Sequence, residues 1–310
     1  MKISIVIPLY NKKETILRAL DSVLSQTVLP HEIIVVNDGS TDGSEKIVAQ
    51  LEHPLLKLAN QSNQGVSTAR NRGILEARYD WIAFLDADDE LMPDFLRTIT
   101  ELHENYPDCG VAATAYYMQD AAGRREKNPL NKLNFKGAHG IIDNYFQVAS
   151  CSPPPLNSSA VAIKKEAIES IGGFPAGVTS GEDLLTWARL AAGFTIAYST
   201  IPQSVFTQDP AHLYVSKPNR IPQDPDIVGR SLVAIARTSK RLPGIRRYIS
   251  HWHKMRSSIY LRLGMKWESF RESIISLFYY PLNFKVILYL LLLGLPTSSV
   301  IQIFRKSVGR

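Results

Sequence analysis

Through its first half the chain alternates short apolar runs with helix-patterned segments of about ten residues, and this alternation restricts its fold more than anything else. Ile3–Pro8, Ile33–Val36, Leu55–Leu58, Trp81–Leu85 and Val111–Tyr117 read as strands. Glu14–Leu24, Asp42–Leu51, Ser67–Ala77 and Pro93–Asn105 read as the helices beside them. Strands without polar alternation belong to a sheet covered on both faces, and strand–helix–strand units of this size make it parallel. Asn11 and Glu14 have the spacing of a capping box at the first helix. Later, Ser159–Ile163 reads as a strand, Lys165–Ile171 and Glu182–Ala192 as helices, and Phe194–Tyr198 as extended. Open sheets of this kind bind ligands beyond the carboxyl ends of their strands, so the residues that follow each apolar run are the candidates for function.

Trp81–Leu85 ends in Asp86-Ala87-Asp88-Asp89-Glu90. Clustered carboxylates repel one another and resist burial unless cations compensate them. Such oxygen ligands suit Mg²⁺ or Mn²⁺ shared with a substrate's phosphates; a cap for the helix near Pro93 is the competing reading. Three other strand ends carry polar groups. In Pro8-Leu9-Tyr10-Asn11, Tyr10 can stack on a base. In Asn37-Asp38-Gly39-Ser40, Asp38 can accept from a ribose or a base N–H, or cap a helix. In Asn63–Asn71, Arg70 stands in the first turns of a helix, where the dipole and the guanidinium both favour an anion.

Together, SIVIPLYN, IIVVNDGSTDGS, NQGVSTARNRG and FLDADDE resemble the nucleotide-sugar-binding half of a family two glycosyltransferase with the GT-A fold. That half would be residues 1–120. GGFP followed by Gly181-Glu182-Asp183 resembles the acceptor-side motif of the same family. The resemblance implies an α/β fold, Rossmann-like, with a mostly parallel sheet flanked by helices, and an inverting, metal-dependent transferase. It implies that Pro8, Tyr10 and Asp38 hold the nucleoside and that Arg70 lies by the base or diphosphate. Asp86 would face ribose and metal, and Asp88 would be the main protein ligand of Mn²⁺ or Mg²⁺. Asp183 would be the general base, with Glu182 beside it binding the acceptor. Asp89 and Glu90 are left as caps of the next helix. The donor would be a nucleotide sugar, a UDP-sugar, and the acceptor a glycan or lipid-linked glycan of cell-surface polysaccharide synthesis. Trp187 reads as core. His212 stands where some GT-A enzymes place a late metal-ligand histidine, but its Pro-containing segment reads as surface. A sugar-phosphate nucleotidyltransferase would show a Gly-rich first loop, and Pro8–Lys13 has no glycine. A nucleic-acid-binding protein would leave the acidic strand ends unexplained.

Charge divides the chain. Residues 217–310 hold 17 Lys and Arg against 4 Asp and Glu, whereas the preceding part holds 18 against 25. A basic, helical C-terminal third on an acidic body points to an anionic surface. Helices are expected around Ile227–Ala236, Tyr248–Leu263 and Trp267–Phe278. Val286–Phe304 is then free of charge, near the lower limit for a membrane span, but Pro296-Thr297-Ser298-Ser299 interrupts it. Shallow insertion with Trp267, Tyr279 and Tyr280 at the interface fits better; a buried helix or a homo-oligomer contact is the alternative. The expected division is a transferase domain over 1–215, its acceptor half 121–215, and a membrane-associating appendage over 216–310. Only Cys109 and Cys151 occur, and Met1–Asn11 has too short an apolar stretch for a signal peptide. A cytoplasmic protein, peripheral on the inner face of the membrane, is the expectation. Sugar selectivity is expected within Asn128–Ser159.

Overall fold

The structure, a computed structural model, describes residues 1–208, 218, 220–238 and 242–308; His212 lies outside them. The chain forms two compact units, Met1–Asp143 with Ser152–Thr207, and Asn144–Cys151 with Gln208–Arg310.

The first unit opens with β1 (Ile3–Leu9), α1 (Ile16–Leu24), β2 (Glu32–Asp38), α2 (Ser44–Ala49), β3 (Leu56–Gln61), α3 (Val66–Glu76) and β4 (Trp81–Phe84). The four strands are parallel in the order β3-β2-β1-β4. β1 therefore lies between a strand that follows it and one reached by crossing over, a topological switch point at whose carboxyl edge ligands bind. Every residue of β1 and β2 is buried. Ile3, Ile5, Ile7 and Leu9, one face of β1, share a core with Ile16, Leu20 and Val23 of α1.

After β5 (Glu90–Leu91), α4 (Phe95–Asn105) adds Phe95, Ile99 and Leu102 to that core. The rest of the unit is β6 (Val111–Gln119), β7 (Arg125–Lys127), β8 (His139–Ile141), a 3₁₀ turn (Ser158–Ala160), β9 (Val161–Lys164), α6 (Lys165–Ser170), α7 (Glu182–Gly193) and β10 (Ile196–Thr207). The sheet continues β4-β9-β6-β10-β5 and becomes mixed, because β9 runs antiparallel to β4 and β6. A helical crossover dictates direction in the first four strands; the long excursion after β6 leaves β9 free to run the other way. β5, β7 and β8 have only two or three residues, too few for periodicity to mark. The expected capping box does not form. α1 starts at Ile16, and Asn11, in the left-handed region at φ 51°, accepts the Thr41 N–H on its Oδ1 at 2.8 Å.

The second unit comprises α5 (Tyr145–Ala149), α8 (Ile227–Thr238), α9 (Ile245–Leu263), α10 (Lys266–Tyr279), α11 (Phe284–Leu292) and α12 (Thr297–Val308). Tyr145 and Phe146 pack edge-on against Tyr248. Gly264, at φ 79°, lets the N–H groups of Gly264 and Met265 reach back to Leu261 and Tyr260 and close α9. α10 then returns antiparallel along α9, with Ser257 opposite Ser269 and Ser273, and Ser250 opposite Ser276. The uncharged stretch Val286–Phe304 is two helices broken before Pro296, and among the described residues no helix is long and apolar enough to cross a membrane.

Candidate active site

The strand-end residues of the first unit hold one another in place. Asn11 N–H donates to Ser40 Oγ, and Ser40 N–H donates to Asn37 Oδ1, which joins the loops after β1 and β2. Pro8 is buried within β1, and Tyr10 is 47% exposed just beyond it. Asp38, expected to hold the nucleoside, is buried. Its carboxylate accepts from Gln61 Nε2 at 2.8 Å and from the backbone N–H groups of Gln64 and Gly65 at 2.9 Å. Most of its acceptor capacity thus shapes the loop that leads into α3.

The acidic run after β4 separates into four roles. Asp86 accepts from Arg70 Nη2 on Oδ1 at 2.5 Å, and Asp88 Oδ2 lies 2.6 Å from Lys12 Nζ. Arg18 donates to the Asp88 carbonyl at 2.7 Å and pairs with Glu90 at 3.2 Å. Asp89 is 1% exposed and accepts from Ser159 Oγ and the Thr207 N–H. Ser159 Oγ in turn accepts the Asp86 N–H, so one buried hydroxyl fixes both ends of the turn. Burial first, then Asp86 and Asp88, drive the Asp89 carboxyl well above its ordinary value against the opposing pull of Ser159 and Thr207. Neither Asp89 nor Glu90 caps the next helix: Asp89 ties the turn to the end of β10, and Glu90 begins β5 and binds arginines.

Arg70 is the centre of the site. It is 4% exposed, its guanidinium lies 5.1 Å from the centre of the Phe174 ring, and its Nε and Nη1 are buried without partners. Burial alone would lower its proton affinity, but Asp86, Glu182 and Asp183 more than reverse this. One cation therefore serves three carboxylates from the end of β4 and the start of α7, residues nearly a hundred positions apart in sequence. Burial raises the carboxyl values of Glu182 and Asp183. For Glu182 the charge of Asp183 adds to the rise; for Asp183 the Leu184 N–H and Arg70 oppose it.

The GGFP turn explains how this is held. Phe174 N–H donates to Asn71 Oδ1, and Asn71 Nδ2 donates to the Phe174 carbonyl, both at 2.8 Å. A side chain on Gly173, at φ 71°, would place its Cβ 2.5 Å from Asn71 Oδ1, so only glycine fits. Phe174 packs edge-on against Phe84 and Trp187, and Trp187 is fully buried, a core residue. Lys12, Asn71, Ser159 and Phe174 were not singled out by the sequence reading. Asn71 and Phe174 lie within the quoted motifs NQGVSTARNRG and GGFP, Lys12 has the signal that a cation is required opposite an acidic cluster, and Ser159 has none.

The donor set at Asp86 and Asp88 is all oxygen, the chemistry a hard dication takes, while Arg70 and Lys12 each hold one oxygen of the pair. A second group, Asp226, His253 and Glu272, has ligand atoms within 4.8 Å of one another in the other unit. There the Arg256 guanidinium, 3.0 Å from Glu272 and 3.5 Å from Asp226, already supplies the compensating charge.

Residues 4–156 match the model of Glycosyl transferase family 2. An uncharacterized glycosyltransferase, alr2836, of Nostoc sp. (strain PCC 7120 / SAG 25.82 / UTEX 2576) is 41% identical over 208 residues, 64% of this chain and 59% of that protein. The chain spans less than two thirds of the length of the curated relatives it matches. Among solved structures, S. aureus TarS 1-349 in complex with UDP superposes with a TM-score of 0.65 at 19% identity, over 99% of this chain and 90% of that one. The mannosyltransferase PcManGT from Pyrobaculum calidifontis, in complex with GDP-Man and Mn²⁺, gives 0.58 at 18% identity, over 100% and 81%. With its strand-end motifs gathered on one edge of such a sheet, the chain belongs to glycosyl transferase family 2 and has the GT-A fold.

Proposed function

We propose that this chain transfers a sugar from a nucleotide sugar, a UDP-sugar, to a hydroxyl of a glycan or lipid-linked glycan, inverting the anomeric carbon. The observation that carries this is Arg70, which draws Asp86 of the acidic turn and the Glu182–Asp183 pair around one guanidinium. Asp183 is the general base: it accepts the proton of the acceptor hydroxyl as that oxygen attacks, and the nucleoside diphosphate leaves on the opposite face. Burial raises its proton affinity and Arg70 limits the rise, the balance a carboxylate base needs. Glu182 binds the acceptor. Tyr10 offers its exposed ring to the base, and Pro8 and Asp38 form the floor beneath the nucleoside.

Asp88 and Asp86 would hold Mn²⁺ or Mg²⁺, which when bound neutralises the charge that grows on the departing diphosphate. Lys12 pairs with Asp88 and would yield that oxygen to the ion. The complexes of TarS with UDP and of PcManGT with GDP-Man and Mn²⁺ support a nucleotide donor and a metal. We assign transfer to residues 1–215 and peripheral attachment to the cytoplasmic face of a membrane to 216–310, a placement consistent with an acceptor carried on a lipid. Thermal-shift screening of nucleoside diphosphates and their sugars, with and without Mn²⁺, is the test. UDP should stabilise the chain only with metal, and Asp88→Ala should abolish that shift; an unchanged shift in the variant removes the metal assignment.

A further inference from the structure

In the second unit, α10 reverses the polarity that water imposes on helices. α10 turns Ser269, Glu272, Ser273 and Ser276 inward, all at most 1% exposed. Their hydroxyls bond to α9: Ser257 Oγ to Ser273 Oγ at 2.8 Å, and Ser276 Oγ to the Ser250 carbonyl at 2.8 Å. The opposite face of α10 presents Trp267, Phe270, Ile274 and Phe278 at helical spacing, with Trp267 and Phe278 about seven-tenths exposed. Phe284 and Leu291 of α11 are equally exposed. In water a helix pair buries its apolar stripe and exposes its polar one. Small hydroxyl residues between helices and large apolar ones outside are the packing that works where the outside is hydrocarbon, and an exposed apolar patch of this extent marks a contact surface.

Cations bracket the stripe. Lys266 precedes Trp267. At the far end Arg246 and Arg247 lie over the rings of Tyr279 and Tyr280 at 5.8 and 5.2 Å, and Lys285 follows Phe284. Burial, then Lys285 and Arg247, bring Lys254 down to about 8, so this end gathers positive charge. A second copy of the chain on a two-fold axis would bring the same cations to the same face, whereas lipid phosphates complement them.

We propose that the outward face of α10 and α11 docks in the plane of an anionic phospholipid surface. Its apolar side chains lie among acyl chains, and Lys266, Arg246, Arg247 and Lys285 lie at the phosphates. This names the surface responsible for the peripheral placement proposed above and rests on that placement. The test is sedimentation of the full chain with phosphatidylcholine vesicles, with and without phosphatidylglycerol, in the absence of donor and acceptor. Binding should require phosphatidylglycerol, weaken with salt, and be accompanied by a blue shift of Trp emission that Trp267→Phe removes. Phe278→Ser and Phe284→Ser, both at exposed positions, should each weaken binding about tenfold, and Lys285→Glu should weaken it without touching the apolar stripe. Wild-type binding that none of these substitutions changes overturns the assignment of this face while leaving peripheral placement intact. Absence of binding, with an oligomer that Phe278→Ser dissociates, overturns both and makes the face a subunit contact.

Discussion

Replacing Arg70 by Met removes one positive charge from the midst of three carboxylates and leaves an apolar side chain of similar length over Phe174. Breaking a buried ion pair by deleting one partner costs about 3–5 kcal/mol. The Asp86 side chain is 28% exposed and keeps part of its hydration, which places the loss near the lower end, at about 3 kcal/mol. The lost cation–π contact with Phe174 is about 0.5–1 kcal/mol, and a Met sulfur against the same ring returns a similar amount. Net destabilisation of about 3 kcal/mol lowers the unfolding temperature of a domain of this size by about 6–12 °C. The pH dependence separates charge from packing. Without Arg70 the carboxyl groups of Glu182 and Asp183, already raised, rise further. A raised carboxyl holds its proton in the folded state after the unfolded chain has lost it, so its contribution to stability is intact at low pH and lost as pH climbs through the folded value. Arg70→Met should therefore lose most at pH 8 and recover much of the loss at pH 5, measured by calorimetry against wild type at both. A deficit equal at both pH values would falsify the electrostatic account and leave a packing defect.

Asp183→Asn should retain donor binding and lose about 10²–10⁴-fold in transfer, while Glu182→Gln should raise the acceptor KM more than it lowers kcat; full turnover by Asp183→Asn moves the base elsewhere. Asp89→Asn keeps an acceptor for the Thr207 N–H and removes a carboxyl whose folded value lies well above the ordinary one. The wild type should thus lose stability as pH rises above about 4. The variant should show a shallower fall, and an unchanged slope between pH 5 and 8 in thermal melts would count against the assignment. Gly173→Ala forces a Cβ onto Asn71 at a positive φ and should cost about 1–3 kcal/mol in denaturant unfolding. Asn71→Ala added to it should cost little more, because both changes break one clamp; fully additive losses would mean that the clamp does not exist.

How much of this was legible depended on the distance over which each feature is encoded. β1 to β4 and their helices come from local periodicity; Asp38, Arg70, Asp86 and Asp88 were candidates from motifs after the strands, and Asp183 from the resemblance of Gly181-Glu182-Asp183 to the family's acceptor-side motif. Ser159 was invisible because a lone serine has no pattern; it matters only because β9 brings it beneath Asp86 and Asp89. The capping box at Asn11 and Glu14 had the right spacing, but Asn11 found Thr41, a competitor thirty residues away. In the tail, the uncharged stretch 286–304 drew attention, whereas the more telling signal, serines and aromatics on opposite faces of α10, required knowing which face meets α9.

By itself the sequence determined the βα order, the edge of the sheet where the strand-end polar groups lie and the residue types gathered there, because backbone periodicity and strand-end chemistry are local properties. Only the tertiary structure decided which charges compensate which. It turned Asp89 into a buried tie, placed Lys12 against Asp88, and set Arg70 among Asp86, Glu182 and Asp183. The reason is that electrostatic energy depends on distance and burial in space, and neither is a function of separation along the chain.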